Sequence, residues 1–426
     1  MTVIGLDFGT TNSAIAVADE DRQATLATFA DGSTTIKNFR SILYFPAKEP
    51  SSRQYGETKA GPDAINAYLD ATTKGRLVVS IKSYLASALF FATTINGRHY
   101  RLEDLVAIIL RRLRTAVMQQ FDTSATRVVI GRPVRFAGAE NETDESLALE
   151  RLKSAAELAG FEEVSFELEP VAAAYQYETQ LDHDELVLIG DFGGGTSDFT
   201  LARLGPSRRK SGRSPVIGTS GVPIAGDTFD SRVMMRLVAP KLGLGSHYVS
   251  LGKELPVPVW VYSQLSSWHH MFLLKEPKTM AVLREVKNQA SEPDKVGALI
   301  QIISENLGYA LYRAVEQTKV ELTEKELASF LFLQSNVPME DVLERWQFES
   351  WIQEDIQNIA SCIRGLLNDC SVKPSDIDTI FLTGGSSFVP VVRRFFAKTF
   401  GAHKLRSGEE LTTVAKGLAL RALEQT

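Results

Sequence analysis

The sequence predicts a two-lobed α/β fold, on two observations: a length that needs more than one core and a strand–turn–strand unit that occurs twice. The 426 residues exceed the roughly 100–200 of one domain. With 44% hydrophobic and 23% charged residues, the composition is globular and carries no mark of long disorder. Lys plus Arg number 46 against 52 Asp plus Glu, a net charge of -6, so no positive field attracts a phosphate backbone and no nucleic-acid partner is expected.

The repeated unit first appears as Val3-Ile4-Gly5-Leu6-Asp7-Phe8, a Gly9-Thr10-Thr11-Asn12 turn and the apolar run Ser13 to Val17. It returns as Val187-Leu188-Ile189-Gly190-Asp191-Phe192, a Gly193-Gly194-Gly195-Thr196 turn and Ser197 to Leu201. β-rich runs around a Gly/Thr/Asn turn read as hairpins, and a fixed internal similarity implies two lobes of related design. Each copy ends its strand in an aspartate followed by glycine, whose missing side chain lets backbone N–H groups close on an anion. Two facing carboxylates repel unless a cation lies between them, and Mg2+, held largely through water, suits carboxylates plus phosphates. A single Asp-x-Gly-Thr can be no more than a turn; two in the same context predict Mg-ATP.

These hairpins resemble the paired phosphate loops of the actin, hexokinase and heat-shock ATPase superfamily. Gly5 to Ser13 resembles most the seventy-kilodalton heat-shock chaperones (DnaK-like). Glu169-Pro170-Val171-Ala172-Ala173-Ala174, Ala225-Gly226-Asp227-Thr228-Phe229-Asp230 and Leu382-Thr383-Gly384-Gly385-Ser386 resemble, in order and spacing, further segments of that family. Val129-Ile130-Gly131-Arg132-Pro133-Val134 is similar to its YegD-like branch, whose members stop after the nucleotide-binding region. The resemblance implies an actin-like ATPase fold, two ribonuclease-H-like lobes around a nucleotide cleft. Lobe I is expected over 1–185 with a peripheral subdomain near 36–100, lobe II over 186–426 with one near 231–352, and no client-peptide domain after them.

The same resemblance implies roles. Gly9, Thr10, Thr11 and Asn12 contact phosphates from one side; Gly193, Gly194, Gly195 and Thr196 do so from the other. Asp7, Asp191 and Asp198 organise the water shell of Mg2+ and the attacking water. Lys82 reaches the terminal phosphate, with Lys74 as its rival, and Glu169 orients the nucleophilic water unless it only caps its helix. Gly226, Asp227, Glu316, Lys319, Thr323, Gly384, Gly385, Ser386 and Phe388 complete the ATP/ADP site. Val320 and Phe388 stand where the family has arginines; Phe388 either stacks on the base or belongs to the core.

The implied function is a slowly ATP-hydrolysing, chaperone-like conformational switch with a protein partner or co-chaperone. A small-molecule kinase of the same fold and a filament-forming relative are the alternatives. Cys362 and Cys370 match neither a redox pair nor a zinc site and are read as reduced thiols. With no basic leader and no apolar run near 18 residues, a cytoplasmic protein and no membrane partner are expected. Gly205 to Pro215 is a basic loop, read as a solvated tip or as a site for an acidic partner. The aromatic-rich Leu255 to Leu274 is read as packed core of lobe II's peripheral subdomain, with a partner-binding surface as the alternative.

Overall fold

A computed structural model describes residues 2–21, 23–48, 55–71, 75–179, 181–207, 216–266, 274–334, 337–407 and 413–424. Lys74, Arg208 to Pro215, and Trp268 to Phe272 lie outside the described residues. The chain divides into two compact units: unit 1 holds Met1–Ala225, Asn358–Phe388 and Val392–Thr426, and unit 2 holds Gly226–Gln357 with Val389–Val391.

Unit 1 contains two sheets with the same strand plan. In the first, Val3–Phe8 is flanked on one side by antiparallel Asn12–Ala18 and then Ala24–Leu26, and on the other by parallel Arg127–Arg132 and then Glu163–Leu168. In the second, Glu185–Phe192 has antiparallel Ser197–Leu204 and then Val216–Val222 on one side, and parallel Thr379–Thr383 and then Leu405–Ser407 on the other. The duplication seen in the sequence therefore extends from one hairpin to five strands. A parallel neighbour needs a crossover, usually helical. Leu102–Phe121 and Glu142–Leu158 precede the two parallel strands of the first sheet, and Gln353–Asp369 and Pro390–Phe400 those of the second.

Val128, Val129 and Ile130 are completely buried, as expected of a strand covered on both faces. One face of the first sheet packs large side chains, among them Leu6, Phe8, Ile15 and Ile130, against Leu105, Ile109, Leu113 and Leu152 of its two crossover helices. The other face uses small residues, Ala14, Ala16 and Val3, against Ala172, Ala173, Ala415 and Ala419. These belong to helices Glu169–Thr179 and Thr413–Glu424. Close backbone approach explains the choice. A Cβ on Gly5 would stand 2.1 Å from the Ala419 nitrogen, and one on Gly417 would stand 1.8 Å from the Ala172 carbonyl oxygen. The strand end bearing Asp7 and the helix start bearing Glu169 are thus locked to one scaffold.

Unit 2 is mainly helical, with Gly226–Val233, Val259–Ser266, Pro277–Gln289, Pro293–Ser304 and Gly308–Glu324, and hairpins His247–Ser250/Lys253–Pro256 and Leu327–Phe332/Met339–Glu344. Leu327–Phe332 alternates exposed and buried residues strictly, the period-two signature of a sheet covered on one face. Of the aromatic-rich segment, Tyr262, Leu265 and Leu274 are core, and the Tyr262 hydroxyl donates to the Leu242 carbonyl. Leu255 and Trp260 are exposed. Cys362 and Cys370 are free thiols. No described helix is long and apolar enough to cross a membrane.

Candidate functional site

Both expected hairpins form, and they differ in one position that matters. Asp7 pairs with Ala14 across the first, whereas Asp191 pairs directly with Asp198 across the second. Each turn is tight for a backbone reason. A Cβ on Gly9 would meet the Asn12 carbonyl oxygen at 2.1 Å, and the Gly193 amide donates to the Thr196 carbonyl at 3.0 Å. The tips are neighbours: the Cβ position of Gly195 lies 3.9 Å from Thr10 Oγ1. Thr10 and Thr196 are half-buried and Gly193 is exposed, so the loops offer backbone groups to solvent.

The glycine pair after Thr379–Thr383 reaches the same place. Gly384 has φ 84°, and a Cβ there would stand 2.1 Å from the Phe192 carbonyl oxygen, so only glycine fits. Gly385–Phe388 then forms a 3-10 turn, closed by the Ser387 hydroxyl donating to the Gly384 carbonyl at 2.6 Å. Ser386 is buried, Phe388 is half-buried, and the Arg393 guanidinium lies 5.7 Å from the Phe388 ring centre. The ring is therefore engaged by a cation on one face.

The chemical centre lies at the strand ends. Lys82, on the 3-10 turn Ile81–Tyr84, donates from Nζ to Glu169 Oε1 at 2.6 Å, and both side chains are about nine-tenths buried. Glu169 is the first residue of helix Glu169–Thr179, yet its described partner is this lysine. Burial works against the Lys82 charge, but Glu169, Asp7 and Asp191 hold its ammonium above the ordinary lysine range. The carboxylates shift the other way. Burial, reinforced by Glu169 and Asp191, raises Asp7 well above the usual carboxylate range. Burial and Glu169 push Asp191 up to about 7, and burial, Glu169 and Asp191 raise Asp198 strongly despite the Thr196 hydroxyl that donates to its Oδ2 at 2.9 Å.

Glu169 alone is bonded to Lys82 among the described residues, while Asp7, Asp191 and Asp198 feel the same ammonium charge. Asp198 Oδ1 is buried with no hydrogen-bond partner, and like charges directly opposite on paired strands are unfavourable. Such a donor set fits a hydrated divalent cation with phosphate oxygens. Among the described residues no three His, Cys, Asp or Glu side chains converge closely enough to ligate a metal directly.

In unit 2, Gly226 and Asp227 open the helix Gly226–Val233. Lys319 Nζ donates to Asp230 Oδ2 at 2.8 Å and to the Gly226 carbonyl at 3.4 Å, and the Tyr312 hydroxyl also donates to Asp230. Glu316 accepts from Arg313 one turn before Lys319, and the Thr323 hydroxyl donates to the Val320 carbonyl. Spacings of three and four place Glu316, Lys319 and Thr323 along one helix face.

Sequence reasoning missed several supports. The Ser41 hydroxyl donates to the Gly9 carbonyl at 2.7 Å and lies 2.8 Å from the Ser13 hydroxyl, while its amide donates to the Thr11 carbonyl. Gly131 makes room for Glu169, whose Cγ would lie 2.9 Å from an added Cβ. Asp230 anchors Lys319 and was visible only as part of a motif. Nothing local marks Ser41, because its partners lie 28 to 32 residues away.

Comparison with known proteins decides the family. A model described as "Hsp70 protein" matches residues 70–241 and 300–423. The chain belongs to the Hsp70 family. Its relatives include chaperone protein DnaK of Thermosipho africanus (strain TCF52B), 26% identical over 429 residues, which cover 99% of this chain and 58% of that protein. Chaperone protein DnaK of Thermosipho melanesiensis (strain DSM 12029 / CIP 104789 / BI429) is also 26% identical over 429 residues, covering 99% of this chain and 59% of that protein. The chain therefore spans less than two thirds of the length of these relatives. The Hsp70 domain is an actin-like ATPase fold, and the two sheets of unit 1 are the repeated strand plan within it.

Proposed function

We propose that this Hsp70-family chain binds ATP with magnesium through the paired loops of unit 1, hydrolyses it slowly with water, and acts as a nucleotide-dependent conformational switch. The observation that carries the reading is the buried Lys82–Glu169 pair at 2.6 Å, set among Asp7, Asp191 and Asp198. Phosphoryl transfer asks mainly for positioning and charge stabilisation. Lys82 supplies a cation to the terminal phosphate, Glu169 orients the attacking water, and the loop amides of Gly9 to Asn12 and Gly194 to Thr196 hold phosphate oxygens, with Gly193, whose own amide closes the turn, leaving room for them. A bound magnesium ion would neutralise the carboxylate surplus, with Asp7, Asp191 and Asp198 as its holders through water. Gly226, Asp227, Glu316, Lys319 and Thr323, with Gly384, Gly385, Ser386 and Phe388, are assigned to the nucleoside. Each sheet is drawn wholly from residues 3–168 or 185–407, which supports a lobe boundary near 185. A protein partner that responds to the nucleotide state and a cytoplasmic location complete the reading.

Calorimetric titration with ATP and Mg2+ tests it. The wild-type chain should bind, and Gly193→Val should abolish binding without unfolding, since a Cβ there meets only the Thr196 carbonyl oxygen, at 3.3 Å. Unchanged affinity in that variant would remove the loops from the site.

A further inference from the structure

The segment that carries Lys82 is held from outside the site by one buried arginine. Arg151, on helix Glu142–Leu158, is 6% exposed. Its Nη1 donates to the carbonyls of Leu85 and Ser87, both at 2.9 Å, and to that of Tyr84 at 3.4 Å; its Nη2 donates to Phe90 at 3.2 Å. Its only carboxylate neighbour among the described ion pairs is Glu103, at 3.9 Å. The guanidinium is thus spent chiefly on the main chain of residues 84–90.

That main chain needs an anchor. Ser80 has φ 51°, a left-handed conformation costly for a residue with a Cβ. Lys82 follows on a turn of only four residues, and the next bonds, Leu85 to Lys82, Ser87 to Tyr84 and Phe90 to Ser87, are all single tight turns. Such short 3-10 pieces have weak internal bonding. Leu89 and Phe91 are exposed, whereas Leu85 and Ala86 are buried and Phe90 packs on the core, so apolar contacts hold these side chains and leave the main-chain carbonyls to be tied separately. A planar fork of five donors can tie several carbonyls at once, which an ammonium on a flexible stem cannot.

We propose that Arg151 is a positioning residue for phosphoryl transfer: by clamping the carbonyls of residues 84–90 it fixes the turn from which Lys82 reaches Glu169. The proposal rests on the role given above to Lys82, and its test separates the two. Arg151→Met and Arg151→Lys are compared with wild type in native-state acylation of Lys82, followed by peptide mass spectrometry, and in single-turnover phosphate release.

In Arg151→Met, Lys82 should acylate several-fold faster at unchanged global fold. The maximal hydrolysis rate should fall on the order of 10–100-fold, as small misplacements of a reacting group do, with little change in ATP affinity. Arg151→Lys, which keeps the charge but loses the fork, should fall between and serves if the methionine variant does not fold. Combining Arg151→Met with Lys82→Ala should cost no more than Lys82→Ala alone, because the arginine acts through the lysine. Unchanged Lys82 acylation in a folded variant, or losses that multiply in the double variant, would overturn the proposal. If the wild-type chain releases no phosphate, the hydrolysis reading fails and the acylation comparison still decides whether Arg151 positions Lys82.

Discussion

The two hairpins of unit 1 share a backbone plan and differ in charge. In the first, Asp7 faces Ala14 and the loop is pinned by Ser13 and Ser41. In the second, Asp191 faces Asp198, one carboxylate oxygen of Asp198 has no partner, and the loop tip is three glycines. A duplicated scaffold has thus been divided into a hydrogen-bonded wall and a charge-bearing wall, with the Lys82–Glu169 pair beside both aspartates that end the strands. On the function proposed above, the surplus charge destabilises the protein alone and makes a place for a cation, a local trade of stability for function.

Titration should expose this trade most strongly. Because Asp191 is raised to about 7, the folded protein keeps a proton that the unfolded chain gives up near the ordinary carboxylate value. Its contribution is therefore fully present below about pH 4 and is lost as the pH rises to about 7, amounting to as much as about 4 kcal/mol. Asp7 and Asp198, also raised, act with the same sign. Denaturation across this range should show a loss of stability that is reduced in Asp191→Asn, and Mg2+ should restore more stability at pH 8 than at pH 5. A wild-type pH profile matching that of Asp191→Asn would show that the second hairpin carries no such strain.

Asp198→Ala gives the second hairpin the residue that the first has at Ala14. Removing a buried carboxylate with an unpaired oxygen should raise stability at pH 8 by about 1–3 kcal/mol while weakening the Mg2+ dependence of ATP binding. Urea denaturation and titration with and without the metal read the two effects. A stability loss in urea would mean that Asp198 is satisfied and the contrast between hairpins is not one of charge.

The smallest effect is expected in the wall. Ser41→Ala removes the hydroxyl between Gly9 and Ser13 and should cost about 1 kcal/mol, with a few-fold loss of ATP affinity and an unaltered pH profile. Thermal denaturation and calorimetry check this; a changed pH profile would make Ser41 part of the charged site.

What the sequence made legible follows the range of the interactions. The hairpins and their glycines were readable because each strand, turn and strand lie within one short stretch, Val3 to Val17 and Val187 to Leu201. Lys82 and Glu169 are 87 residues apart, and only family resemblance joined them. Ser41 and Arg151 were invisible: a serine in a loop and an arginine on an amphipathic helix are ordinary until the fold brings them to main-chain carbonyls. The same holds for the charge contrast, since Asp198 was legible as a candidate but its unpaired oxygen depends on what surrounds it. The aromatic-rich segment showed the limit of composition, because Tyr262 and Trp260, two residues apart, went to core and surface respectively.

The central claim is that the lysine shared by the two hairpins performs the chemistry. Single-turnover phosphate release by Lys82→Ala, at ATP concentrations saturating for both proteins, tests it most directly. Loss of a positioned charge at a reacting group commonly costs on the order of 10²–10³ in rate, so the variant should bind ATP and release phosphate that much more slowly than wild type. Release at the wild-type rate by a folded Lys82→Ala protein would contradict the account.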